Sequence, residues 1–120
     1  MKYLLLIYGN AELWASFTPE QAEQAVAETE AQHAALKESG EFLGAYGLAD
    51  AVRAKQVHLA DGVPVVTDGP YLEAKEHIAR FTMVDCDSEE RALEIAAANP
   101  FARVGQVEVW PVMHESATEV

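Results

Sequence analysis

Residues 2–8, KYLLLIY, constrain the fold more than any other stretch of the chain. Apolar side chains would point to both faces of a strand made from them, so both faces must be covered and the strand belongs at the centre of its sheet. The run is too short to cross a bilayer or to serve as an ordinary signal segment, and Gly9-Asn10 ends it. Such a strand needs partners from the rest of the chain. The 120 residues, half of them hydrophobic, suffice for one modest core without disulfides or structural metal.

The partners can be read in order. Thr18 is a natural N-cap, Pro19 fits the first helical position, and Gln21 completes a capping box. Ala22, Ala25, Val26, Thr29, His33 and Leu36 then follow helical spacing along one stripe, until Gly40 ends the helix in a left-handed cap. A second strand is expected over about 41–48, where Gly44 and Gly47 mark a bulge or a close backbone approach. QVHLA and VPVVT flank Asp61-Gly62, a strong hairpin signal, and Asp68-Gly69-Pro70 closes that hairpin with a further turn. HIARFTMVD, residues 77–85, reads as another strand. Asp87 or Ser88 caps a second helix that ends near Asn99-Pro100, and Pro111 confines the last strand, VEVWPVM, to an edge or a bulge.

The order is β-α-β-(hairpin)-β-α-β, an α+β chain of ferredoxin-like plan with an antiparallel sheet. No linker or repeat divides it, so one domain is expected over 1–113, with a fraying tail over 114–120. Two helices can cover only one sheet face, and the simplest cover for the other is a second copy: a homodimer is expected.

Twenty acidic and 8 basic residues give a net charge of −12. No basic stripe offsets it, so neither nucleic acid nor an anionic membrane is an expected partner. Cys86 is the one cysteine and cannot form an internal bridge, which fits a cytoplasmic chain. His33, His58, His77 and His114 lack paired-ligand spacing, and there is no phosphate loop, nucleophile elbow or dinucleotide fingerprint. No metal or cofactor is expected.

The stretch DGVPVVTDGPYLEAKE at 61–76 resembles the DGPF-type branch of the YCII-related proteins, whose hallmark is D-G-P-[FY]-x-E-[TA]-K-E. HAALKESGEFLGAYGL at 33–48, MVDCDSEERALEIAAANP at 83–100 and VEVWPV at 107–112 support the resemblance over nearly the whole chain. It implies a dimeric α+β barrel, in which two such sheets pack together and leave a pocket near each helix–sheet edge. It also implies a His/Asp site, which in that family is proposed by analogy. The broader superfamily includes cofactor-free enzymes acting on small organic molecules, and members of this branch occur beside or fused to sigma factors. Fold-level likeness of this kind identifies no substrate.

His33 is the leading candidate for chemistry. It sits mid-stripe on the first helix and matches the histidine proposed as catalytic in the family. An imidazole facing the sheet could move protons at a bound substrate, or simply be a packed residue bonded to a backbone carbonyl. Where YCII proteins often carry D-P-F, this chain has Asn99-Pro100-Phe101; Asn can orient an imidazole but brings no charge. Asp68 of the motif is therefore the candidate acid partner, against an ordinary role as turn initiator. Tyr71, Lys75 and Asn99 are candidate substrate-binding residues. Lys75 with Glu76 could instead form a structural ion pair, and Tyr8, Tyr46 and Tyr71 could belong to the core. His58 and Trp110 stand where many relatives have arginine, which argues against carrying over an acidic ligand. Two functions follow: a cofactor-independent lyase, isomerase or hydrolase using His33 as acid/base, or a non-catalytic ligand-binding or regulatory dimerisation module linked to sigma-factor regulation.

Overall fold

The computed structural model describes residues 1–69 and 76–117. β1 (Lys2–Gly9) lies at the centre of a four-stranded antiparallel sheet of order β2-β5-β1-β6. β2 is Phe42–Gly47, β5 is His77–Asp85 and β6 is Gln106–Pro111. The central place follows from the sequence: Tyr3, Leu5 and Ile7 are buried on one face, and Leu4, Leu6 and Tyr8 are half-buried on the other. Pro111 is tolerated because β6 is an edge strand.

Both long helices pack on the Tyr3–Leu5–Ile7 side. α2 (Pro19–Ser39) begins with the complete Thr18–Gln21 capping box and ends at Gly40, whose φ of 82° is left-handed. α3 (Glu89–Ala98) is capped by the Ser88 side chain, which accepts from Arg91 N. Tyr3, Leu5, Leu36, Val84, Cys86, Ala92, Ile95 and Ala96 form the core between sheet and helices. The Arg91 guanidinium donates to both carboxylate oxygens of Glu41, at 2.8 and 2.9 Å, and so ties α3 to the start of β2. These bonds, with one from Ser39, lower the Glu41 pKa to about 2.

Three details differ from the sequence reading. A short helix, α1 (Ala11–Ala15), precedes α2; Asn10 caps it, and Trp14 packs edge-on against Phe17 and Phe101. Its five residues are too few to show a helical period. Val26 is exposed, because the buried line of α2 runs through Thr29 and Leu36 and is narrower than the apolar spacing suggests. The hairpin β3 (Lys55–Ala60) and β4 (Val63–Asp68) turns at Asp61 and Gly62, both at positive φ, and forms a separate two-stranded sheet.

Two apolar surfaces are bare in the single chain. On the sheet face opposite the helices, register aligns Leu4 with Met83 and Trp110, and Phe81 with Leu6 and Tyr46. Tyr46 is 59% exposed and Trp110 is 56% exposed. On the hairpin, cross-strand pairing puts Val57 opposite Val66 and Leu59 opposite Pro64. Val57, Leu59 and Val66 are all more than 60% exposed. No helix among the described residues is long and apolar enough to cross a membrane.

Candidate functional site

A cavity of about 160 Å³ opens between α2 and the β2–β5 edge of the sheet. α2 contributes Thr29 and His33, one turn apart on its inward side. β5 contributes Arg80 and Thr82, two residues apart and therefore on one face. β2 lines it through Ala45, Tyr46 and Gly47, and Asn99, just after α3, closes it.

The His33 ring lies against Phe42, centroids 5.0 Å apart, and neither ring nitrogen makes a hydrogen bond among the described residues. Burial lowers its pKa, the Arg80 and Lys37 cations lower it further, and Glu30 opposes them. The imidazole is therefore neutral at neutral pH, the form that accepts a proton. Arg80 is half-buried, and its guanidinium sits 4.8 Å from the Phe101 ring centroid. Thr29 and Thr82 are each 5% exposed. The Thr29 hydroxyl donates to the Ala25 carbonyl at 2.8 Å, whereas that of Thr82 has no partner among the described residues.

Asn99 reaches the cavity but already has a structural task. Its Oδ1 accepts from Phe101 N at 2.9 Å, and its Nδ2 donates to Gln32 Oε1 at 3.4 Å. Asp68 is elsewhere. It is the last residue of β4, exposed and ion-paired with Lys55 across the hairpin, and it does not line the cavity with His33. Among the described residues the hairpin pairs with itself, and the Asp68 carboxylate meets its cross-strand lysine rather than His33. Pro70, Tyr71 and Lys75 lie outside the described residues, and with them most of the D-G-P-Y-L-E-A-K-E motif. Glu76 is exposed. Tyr8 is on the opposite sheet face, donating to Glu108 at 3.0 Å, and of the candidate tyrosines among the described residues only Tyr46 touches the cavity.

Arg80 is the residue that sequence reasoning missed. Its signal was present: in HIARFTMVD it shares strand phase with Thr82 and Val84, which places a cation on the face turned toward the helices. A cavity of about 330 Å³ lies beside Ala22 and Val26 of α2, and two of about 430 Å³ lie elsewhere. One, between α2 and the Pro100–Arg103 turn, is lined by Phe17, Phe101 and Val104. The other, at the end of β1, is lined by Trp14, Leu48, Asp50 and His77.

Two helices on one face of an antiparallel β2-β5-β1-β6 sheet define an α+β domain of ferredoxin-like type. The YCII-related domain profile matches residues 1–116, and the chain belongs to that family. It is similar to a protein of Rhizobium meliloti (strain 1021) called "Uncharacterized protein R00369", with 28% identity over 116 residues, covering 93% of this chain and 92% of that protein.

Proposed function

We propose that this protein is a small cofactor-independent enzyme that carries out acid/base chemistry on a small organic molecule, with His33 as the proton-transfer group. The observation that carries the reading is the imidazole itself: a half-buried ring that lines a cavity, held neutral, with no hydrogen bond to either nitrogen among the described residues. A merely structural buried histidine has its N–H satisfied by a neighbour. Asn99 and the Thr82 hydroxyl would orient the substrate, and a lyase, isomerase or hydrolase step would use the ring as base and then as acid.

The active form in this reading is a cytoplasmic homodimer of the DGPF branch. Its support is the bare sheet face around Phe81 and Trp110 and the exposed valines and leucine of the hairpin, since a two-stranded hairpin is marginal alone. The free, buried Cys86 fits a reducing compartment.

The second reading, a ligand-binding or regulatory module, is favoured by one observation: among the described residues no carboxylate lines the cavity with His33 to stabilise its charged form. Incubating the protein with a mixture of small organic acids, ketones and phenols in D₂O, followed by NMR, separates the two. Proton exchange or conversion that disappears in His33→Gln is the expected result. Turnover unchanged in that variant would assign the chemistry elsewhere, and saturable binding without exchange would favour the module.

A further inference from the structure

The chain has 20 acidic residues against 8 basic ones, so a cation left without a carboxylate is conspicuous. Lys2 pairs with Glu115, Lys55 with Asp68, Arg91 with Glu41 and Glu94, and Arg103 with Glu28; Lys37, Arg53 and Arg80 have no carboxylate among the described residues, and of these three only Arg80 lines the cavity with His33. Arg80 is half-buried, yet its guanidinium has no carboxylate and no hydrogen bond among the described residues. The Phe101 ring beneath it offers a cation–π contact, which leaves the donor edge of the fork unused. A charge taken partly out of water without a hydrogen-bonding partner is costly, and an anionic ligand would offset that cost.

We propose that Arg80 is the anchor for a ligand carboxylate, so that the molecules taken by the cavity beside His33 are small carboxylic acids in their anionic form. The inference rests on the reading of that cavity as the ligand site and adds its ligand class. Three observations favour a monocarboxylate. The guanidinium fork matches a carboxylate in two parallel N–H···O bonds. One cation balances one negative charge; the nearby Lys37 ammonium is taken up over the Phe42 ring. The volume, about 160 Å³, resembles that of a cavity of about 150 Å³ that holds a benzene-sized molecule, and so fits about six non-hydrogen atoms. With the carboxylate on Arg80, the rest of the molecule lies among Thr82, Asn99 and His33, which line the same space.

The test is an NMR titration of the full chain with labelled histidine, at pH 7 and constant ionic strength, using propionate, its uncharged isostere propionamide and inorganic phosphate as probes. Propionate should shift the His33 ring signals saturably, and propionamide should bind about tenfold or more weakly, as the loss of a charge-assisted pair requires. Arg80→Gln should weaken propionate about tenfold while leaving propionamide unchanged. His33→Gln, followed on the Thr82 and Ala45 amide signals, should still prefer propionate to propionamide. Equal affinity for propionate and propionamide in the wild-type chain, unchanged propionate binding in Arg80→Gln, or tighter binding of phosphate than of propionate would each overturn the anchor. Because the first comparison needs no variant, it decides the matter even if Arg80→Gln does not fold. Loss of the anchor leaves the acid/base reading of His33 standing, and unchanged turnover in His33→Gln leaves the anchor standing.

Discussion

At the scale of single residues, His33 and Arg80 work as a pair of opposites. Burial first, and the guanidinium on β5 after it, disfavour the protonated imidazole. The charged groups around the ring are Arg80 from β5 and Lys37 and Glu30 from α2. Burial and the two cations outweigh Glu30, so His33 should titrate below its ordinary value of 6.5. The sign for stability follows. Between the folded pKa and 6.5 the unfolded chain binds more protons, so this contribution is full above 6.5 and is lost as pH falls through the folded pKa. An NMR pH titration should place His33 below 6.5, and Arg80→Gln should move it upward; a value above 6.5 in the wild type would contradict the electrostatics described. Of this pair the sequence showed only His33. Its place on a helical stripe was readable; Arg80 shares strand phase with Thr82 and Val84, but which face of β5 turns toward the helices is set by its pairing with β1.

At the scale of elements, local chemistry was readable and sheet membership was not. Thr18, Gln21, Gly40, Ser88 and the Asp61-Gly62 turn act where their side chains and backbone preferences direct, because capping and turning need only near neighbours. The separation of β3–β4 from the main sheet is a matter of long-range pairing, and it carried Asp68 away from His33. The Glu41–Arg91 bridge is long-range too, joining residues 50 apart in the chain. Glu41→Gln should destabilise the fold by about 1–2 kcal/mol at pH 7, the range for a charge-assisted bond at a partly exposed site. Since the pair holds the Glu41 carboxyl near 2 against an ordinary 4.5, its stabilisation is full above 4.5 and disappears as pH falls toward 2. Urea midpoints for the two proteins should therefore differ at pH 7 and approach each other in acid. A gap of the same size at both ends would mean that the bridge contributes nothing pH-dependent.

At the scale of the whole molecule, the bare-face argument was available from the element order alone, because two helices cannot cover both sides of a sheet. The short α1 does not alter it, for Trp14 packs with Phe17 and Phe101 at the helix side and Trp110 and Tyr46 stay exposed. Sedimentation at micromolar concentration should give twice the chain mass of 13.1 kDa, with an interface on the order of 2,000 Å² or more in total. A 13.1 kDa species would remove the dimer. Trp110→Glu, on the bare face, should shift the equilibrium toward monomer without disturbing the helix-side core.

The central claim is that the cavity between α2 and the β2–β5 edge, not one of the larger cavities, receives the ligand. Backbone amide NMR of the assembled protein, recorded while a mixture of small carboxylates is added, tests it most directly. Saturable shifts are expected at Thr29, His33, Ala45, Thr82 and Asn99. Shifts confined to Leu48, Asp50 and His77, or to Phe17, Gln21 and Val104, with His33 and Thr82 unmoved, would contradict it.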